Sequence, residues 1–462
     1  MHAPTQLVID PALLERFGGR GPRYTSYPTA DRFHTGFTDA DYLAALRERA
    51  KRRDDPLGLY FHIPFCRTIC YYCGCNKIGT KHQGKSAEYI VALTNEIQLV
   101  TDAIGIGQTI RHLHFGGGTP TFMLDSEFTE LFEVIHKHFV MAPDGEYSIE
   151  VDPRTVTPER LKVLRGFGLN RISLGIQDFD AEVQRAVNRV QSYEQSRALI
   201  EASRAEGFDS VNVDLIYGLP LQTVAGFQRT VELTIAARPD RVALYHYAHL
   251  PKLFMPQRRI DEEQLPDAAT RGALFEMATR LFGDAGYVHL GLDHFALAND
   301  ELAVAQREGR LHRNFQGYCS HDAGDIIALG VSSISQVGSV YAQNDKTLTG
   351  YYERLAANRL PTVRGISLAE DDFLRRDAIQ ALMCGFALDW QQLEARHPVR
   401  AREYFADAIE SLGPMREAGA IRIDDAGIEV EPRGRLLVRA VAMAFDRYLR
   451  EAPPTGTYSK IA

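Results

Sequence analysis

The sequence predicts an α/β fold: a partial or full (β/α) barrel, preceded by an N-terminal arm and followed by a mainly helical module. Three observations carry this. Between about 56 and 345, apolar runs of five to seven residues recur, separated by amphipathic helical stretches, the pattern of parallel strands with crossover helices. The chemistry-bearing motifs fall at the ends of those runs, where such barrels gather their sites. After about 365 the texture changes to helices and one short alternating hairpin. The expected divisions are an arm or lid over 1–50, the barrel over 51–360, and a helical, winged-helix-like module over 361–462.

The arm contains Gly21-Pro22-Arg23-Tyr24-Thr25-Ser26-Tyr27-Pro28, whose glycine and two prolines disfavour helix. Strands are expected over Leu57–Ile63, Ile110–Phe115, Tyr147–Val151, Arg171–Ile176, Val211–Tyr217, Val242–Tyr247 and Ile326–Val331. Helices are expected over Ser86–Gly105, Ser126–Phe139, Pro158–Gly166, Ala181–Arg189 and Tyr193–Glu206. In the closing module, Asp371–Phe386, Trp390–Arg396, Val399–Leu412 and Gly434–Leu449 read as helices, and Ile421–Val430 as a hairpin around Gly427.

A chain of 462 residues, 45% hydrophobic and 24% charged, is long enough to bury about three quarters of its unfolded surface and to split into domains. Its formal charge of −8 argues against nucleic-acid binding, which calls for a basic face. Met1–Arg20 lacks a secretory pattern, and no uncharged apolar run approaches the ~18 residues of a membrane span. The expectation is a cytoplasmic, membrane-free protein. In that reducing setting six cysteines serve metal binding or catalysis more often than crosslinks.

The cysteine spacing is the most telling motif. Cys66-x-x-x-Cys70-x-x-Cys73 follows the first strand directly. Three thiolates hold a [4Fe–4S] cube but leave one iron open to a ligand, whereas four close it for electron transfer. The spacing alone also admits zinc, with Cys75 as a fourth sulfur, or ordinary thiols. Four cysteines within ten residues, the last two separated by one glycine, strain a zinc tetrahedron. Further along, His112-Leu-His114-Phe-Gly116-Gly117-Gly118-Thr119 offers backbone groups to a ligand without steric obstruction, and lacks the lysine of a P-loop. Glu150 ends the third strand, Gln177 the fourth, and Arg189 the helix after it. Asp214 lies mid-strand, where a carboxylate is costly unless hydrogen-bonded, and Tyr245–Ala248 end the sixth strand.

Taken together, these segments resemble the radical S-adenosylmethionine enzymes. Within them, Tyr60–Cys66, Cys73-Gly74-Cys75-Asn76-Lys77, Gly21–Thr29, Glu150–Arg154, Leu174–Phe179, Val187–Gln191, Asn314–Tyr318, Ile334-Ser335 and Tyr341–Asn344 resemble the oxygen-independent coproporphyrinogen III oxidases, over nearly the full length. The resemblance implies a barrel of the radical S-adenosylmethionine type. It implies a [4Fe–4S] cluster on Cys66, Cys70 and Cys73, and two S-adenosylmethionines. Tyr60, Tyr72, Gly117, Glu150 and Ile334 match contacts to the first, and Gly118, Thr119, Gln177, Arg189, Asp214 and Ala248 contacts to the second.

The implied reaction takes two propionates of coproporphyrinogen III to vinyls through a 5′-deoxyadenosyl radical, giving protoporphyrinogen IX. It calls for an electron donor of the flavodoxin or ferredoxin kind and an electron acceptor. Cys75, Arg23, Tyr24 and Gln316 are the candidates near substrate, with Arg313 as a further carboxylate partner and Phe315 and Gln316 lining the site near the adenine. His62 reads either as a satisfied core imidazole or as a donor to a thiolate that tunes the cluster, His114 as a satisfied core imidazole, and Cys319 and Cys384 as small buried residues. A haem-binding chaperone on the same scaffold is the alternative; it generally lacks the Cys75 equivalent and the tyrosine-bearing arm, both present here. A monomer is expected.

Overall fold

Near-continuous apolar runs become parallel strands when both faces of a sheet are covered, and the first of them, Leu57–Ile63 (β1), is buried at six of its seven residues. The computed structural model describes residues 7–451 and 458–461. Residues 1–6 of the predicted arm and 452–457 and 462 of the predicted closing module lie outside the described residues. The chain divides into two compact units, one formed by His34–Ala285 with Ala323–Ser367, the other by the segments up to Phe33, Gly286–Asp322 and from Leu368 onward.

The first unit holds the predicted strands. After β1 come Gln108–Gly117 (β2), Phe139–Val151 (β3), Arg171–Gln177 (β4), Ser210–Tyr217 (β5), Arg241–His246 (β6) and Asp325–Leu329 (β7), then Ile334–Val337 (β8), Val340–Asn344 (β9) and Thr362–Ser367 (β10). The order across the sheet is β10-β9-β8-β7-β1-β2-β3-β4-β5-β6. The seven strands from β7 to β6 are all parallel, and β8, β9 and β10 continue antiparallel beyond β7. The last parallel strand thus returns beside the first, but the sheet stays open, so the expectation of a partial or full barrel resolves to a partial one. Among its helices are Asp39–Arg49 (α1), Gly84–Ile104 (α2), Asp125–His138 (α3), Pro158–Gly166 (α4), Ala181–Ala186 (α5), Tyr193–Ala205 (α6), Val224–Ala237 (α7) and Ala268–Asp284 (α8). Their starts follow local chemistry: Ser192, Thr223 and Asp267 accept from backbone N–H groups of the first turn.

The second unit is built around the helix Glu370–Gly385. It includes two hairpins, Tyr287–Gly291 with His294–Leu297 and His312–Asn314 with Gly317–Cys319, and a three-stranded sheet of Ala387–Asp389, Ile421–Ile423 and Gly427–Val430. Tyr24 and Tyr27 of the arm are buried in its core with Leu382, Phe405 and Leu437.

Three predicted helices are shorter or broken. Ala181–Arg189 ends at Ala186 because Val187 and Asn188 turn to hydrogen-bond the cysteine loop. Val399–Leu412 breaks at Phe405 into Ala401–Tyr404 and Ala406–Ser411, with the Phe405 ring sunk into the core. Gly434–Leu449 becomes a 3-10 turn over Pro432–Leu437, a helix Val438–Met443 and a last turn Arg447–Glu451. That last break falls at buried Asp446, whose carboxylate accepts from the Leu449 N–H and the Tyr24 hydroxyl.

Candidate active site

Beyond β1 the chain makes a two-residue strand, Phe65–Cys66, paired in parallel with Ile78–Gly79. The intervening loop carries Cys70, Cys73 and Cys75. It is tied down at almost every turn. Tyr71 N–H donates to Val187 O at 3.0 Å, Asn188 Nδ2 to Ile69 O at 2.9 Å, and Gln257 Nε2 to Tyr72 O at 2.9 Å. Lys77 Nζ donates to the carbonyls of Cys73 and Cys75 at 2.9 and 3.2 Å. Tyr71 and Tyr72 pack against Val183, Val187, Ile216 and Tyr247.

All the cysteines are free thiols; Cys66 and Cys70 are buried, Cys73 is half-buried and Cys75 exposed. Donors converge on two of the sulfurs. Thr119 Oγ1 lies 3.4 Å from Cys66 Sγ. Arg189 Nη1 and Arg154 Nη2 lie 3.4 and 3.6 Å from Cys70 Sγ. Asp152 sits between the two guanidiniums, bonded to Arg154 at 2.6 Å and to Arg189 at 3.3 Å. Burial pushes the Cys66 thiol up to about 11. Cys73 is drawn down to about 6 by a hydrogen bond from the Cys75 thiol, with the Lys77 ammonium adding to it, and Cys75 keeps its proton as the donor. Three unpaired thiols with cationic and hydroxyl donors aimed at sulfur are the donor set a thiolate-ligated iron cluster requires.

Of its two readings His62 takes the satisfied core imidazole and does not reach a thiolate. Its Nδ1 bonds the Tyr60 hydroxyl of β1 at 3.0 Å and its Nε2 lies 2.9 Å from Asn76 O, so both nitrogens are used and one of them ties the far end of the cysteine loop to β1. Burial lowers its pKa. His114 is satisfied as expected, with Nδ1 at 2.6 Å from Ser148 Oγ and Nε2 at 3.4 Å from Glu150 Oε1, and Tyr60 stacks on its ring at 5.7 Å.

The glycine run ending β2 is dictated by contact. Gly117 has φ +113°, and a Cβ there would lie 2.9 Å from the His62 ring; one on Gly118 would lie 2.7 Å from the Pro64 backbone. Only glycine lets this strand end pass beside β1. Gly118 N–H and Thr119 N–H then bond Ile63 O and Phe65 O. Glu150, the last residue but one of β3, leaves 45% of its side chain open.

One strand over, Asp214 of β5 pairs in register with Gly175 of β4. It has the hydrogen bonds its mid-strand position demands: Asn212 Nδ2 donates at 2.9 Å and Ser173 Oγ at 3.3 Å. Burial, reinforced by the charge of Glu150, still raises it to about 7. Gln177 sits at φ +72° where the β4–β5 register slips. Its Oε1 and the Arg189 Nε are buried without a hydrogen-bond partner, which leaves one acceptor and one donor for a ligand. Ala248 lies just past β6, and its carbonyl accepts from the same Gln257 amide that holds Tyr72. Ile334 opens β8.

Tyr24, Arg23, Gln316 and Arg313 belong to the other unit. The Tyr24 hydroxyl donates to Asp446 at 3.0 Å, Arg23 pairs with Asp293, and Gln316 is half-buried with its N–H donated to Asn314 Oδ1 at 2.8 Å. Arg313 is buried, its guanidinium 4.8 Å from the Tyr318 ring centre; Phe315 is half-buried. Cys319 and Cys384 are buried as expected. Sequence reasoning missed Asp152, Gln257 and Glu96. The last is a buried carboxylate on α2 that accepts from Tyr351 Oη, Asn344 Nδ2 and Gly330 N–H at 2.6, 2.6 and 2.7 Å. It fixes the loop that leads into Ile334.

The radical SAM superfamily model matches residues 60–234, and the HemN C-terminal domain model residues 368–437. The oxygen-independent coproporphyrinogen III oxidase of Pseudomonas aeruginosa is 46% identical over 95% of this chain and 96% of its own. That of Escherichia coli is 42% identical over 99% of both. The solved structure described as "Coproporphyrinogen III oxidase (HemN) from Escherichia coli is a Radical SAM enzyme" superposes with a TM-score of 0.91, at 41% identity, covering 96% of this chain and 100% of that one.

Proposed function

Since the chain belongs to the radical S-adenosylmethionine family of oxygen-independent coproporphyrinogen III oxidases, we propose that it converts two propionates of coproporphyrinogen III to vinyls with loss of CO2, giving protoporphyrinogen IX for haem synthesis. The observation that carries this reading is the loop of three free thiols, Cys66, Cys70 and Cys73, set beside the glycine end of β2. When bound, a [4Fe–4S] cluster with S-adenosylmethionine supplies a 5′-deoxyadenosyl radical that takes hydrogen from the propionate; the protein supplies placement.

The residues divide that placement. Cys66, Cys70 and Cys73 hold the cluster, and Thr119, Arg154 and Arg189 donate to its sulfurs. Gly117 and Glu150 receive the ammonium end of one S-adenosylmethionine, with Tyr60, Tyr72 and Ile334 around it. A second S-adenosylmethionine fits Gly118, Thr119, Gln177, Arg189, Asp214 and Ala248; the unpartnered Gln177 Oε1 and Arg189 Nε support it, and a guanidinium suits a carboxylate. Cys75 stands at the exposed end of the loop, suited to the substrate or electron path. Arg23 and Arg313 serve the substrate, whose four carboxylates need local cations, with Gln316 beside them; Tyr24, buried with its hydroxyl on Asp446, braces the arm that carries Arg23. The enzyme acts as a monomer in a reducing, cytoplasmic compartment.

The test is an anaerobic assay of cluster-replete protein with dithionite, S-adenosylmethionine, coproporphyrinogen III and a cell extract that supplies the acceptor for the electron left on each substrate radical. 5′-Deoxyadenosine and protoporphyrinogen IX are expected together, and the absence of both from iron-replete protein sinks the reading. Cys70→Ser abolishes both products and the cluster absorbance while shifting Tm by no more than roughly 4 °C, because the sheet does not depend on the loop. Haem binding without decarboxylation would favour the chaperone instead.

A further inference from the structure

Residues 64–87, which contain every cluster ligand proposed above, carry Arg67, Lys77, Lys81 and Lys85 with His82, and not one aspartate or glutamate, in a chain where 60 carboxylates outnumber 52 lysines and arginines. Lys77 turns inward to cap the loop carbonyls, whereas Arg67, Lys81, His82 and Lys85 are exposed. The parallel pairing of Phe65–Cys66 with Ile78–Gly79 sets Cys66 opposite Gly79. The two segments leave that pair side by side in one direction, so Arg67 and Lys81 emerge together beside Cys66. Lys81 is two residues past Gly79, a reach of at most about 7 Å. Arg67 is fixed there, its guanidinium 3.0 Å from Gln83 Oε1 and 5.3 Å from the Phe122 ring centre. Lys85 stands in the first turn of α2, which has no acidic residue. A cation at a helix N-terminus opposes the helix dipole, so this charge does not serve the fold. The nearest exposed carboxylate along the chain is Glu88; Glu127 is buried and accepts from Ser86.

We propose that this basic face, Arg67, Lys81, His82 and Lys85 beside Cys66, docks the reductant, a small acidic protein carrying a one-electron flavin or iron–sulfur group. The proposal rests on the radical reading above, which needs one electron per cleavage: the carrier's reduced group loses it, the cluster gains it, and no bond or proton changes hands at the interface. A chain of net charge −8 repels an acidic carrier at long range. Attraction therefore has to come from a local patch within the ~8 Å screening length at physiological salt, where complementary charge speeds encounter and fixes orientation.

The test compares two reductants on the full-length enzyme: dithionite, which needs no docking, and a reduced acidic flavodoxin. The variants are Lys81→Glu/Lys85→Glu and the charge-keeping Lys81→Arg/Lys85→Arg. With flavodoxin below saturation, the reversed variant forms 5′-deoxyadenosine about tenfold more slowly, and raising the salt narrows the gap; the arginine variant behaves as the parent. With dithionite, both variants keep the parent rate and the parent KM for coproporphyrinogen III, which also certifies their fold. Flavodoxin binding to the cluster-free protein weakens by the same factor. Equal flavodoxin-driven rates and equal flavodoxin binding overturn the proposal. So does a raised KM for coproporphyrinogen III under dithionite, which would assign the face to the tetracarboxylate substrate. A parent inactive with dithionite condemns the radical reading instead, and the binding measurement still decides the docking.

Discussion

Cys70 accepts from two guanidiniums, and that asymmetry has a consequence for redox chemistry. Asp152 holds Arg154 and Arg189 against its sulfur, at 3.6 and 3.4 Å. Positive donors at a thiolate favour the more negative, reduced state of a cluster. Arg154 makes no contact assigned to S-adenosylmethionine, so it can be changed with less effect on binding. Arg154→Gln is expected to lower the cluster midpoint potential by on the order of tens of millivolts, read by redox titration, with the S-adenosylmethionine Kd held. A potential that does not move, or a Kd that moves instead, would mean Arg154 only braces the loop. At this scale the sequence reveals what lies close along the chain. Cys66, Cys70 and Cys73 share one loop, and Asp214 stands out as a carboxylate among Val213 and Leu215. The donors to Cys70 were not legible, because Arg154 and Arg189 reach it from 84 and 119 residues away, and a surface pair and a sulfur donor look alike in sequence.

Elements place these residues, and α2 does so through one buried acid. Glu96 is 2% exposed, yet three donors surround it: Tyr351, Asn344 and the Gly330 N–H. Burial outweighs them and lifts its pKa from 4.5 to about 7. The folded state therefore binds a proton more tightly than the unfolded one. Its contribution to stability is complete below about pH 4.5 and is lost as pH rises toward 7, by roughly 3 kcal/mol at ~1.4 kcal/mol per unit. Glu96→Gln is expected to flatten this part of the profile in urea unfolding at pH 5 and pH 8, while its amide N–H, facing donors, costs about 1–3 kcal/mol at the lower pH. A variant with the parent's slope would locate the titrating group elsewhere. Periodicity made α2 and the seven parallel strands visible, since a 3.6 or unbroken apolar pattern is a property of one segment. It did not mark β8 to β10, whose antiparallel pairing depends on β7 lying alongside. Nor did it mark the break at Asp446, where a carboxylate buried against Tyr24 ends a pattern that reads as continuous helix.

On the scale of the whole molecule, charge decides how each partner arrives. The chain has net charge −8, the substrate carries four carboxylates, and among the described residues no helix is long and apolar enough to cross a membrane. Long-range attraction cannot bring coproporphyrinogen III in, so its binding must come from cations in contact. Between ~0.01 and ~0.15 M ionic strength the screening length falls from ~30 to ~8 Å. Over that range the dithionite-driven kcat/KM for coproporphyrinogen III is expected to stay flat or rise as repulsion is screened, while the flavodoxin-driven rate falls. Arg23→Gln, by contrast, should raise the KM for coproporphyrinogen III about tenfold, the worth of one charge-assisted hydrogen bond, and by a similar factor at both ionic strengths. A contact that close is poorly screened, and the side chain is only 34% exposed beside Asp293. A steep loss of kcat/KM with salt, or an Arg23 effect that vanishes at the higher ionic strength, would show that the substrate is drawn by the field of the whole surface and not held by a particular guanidinium.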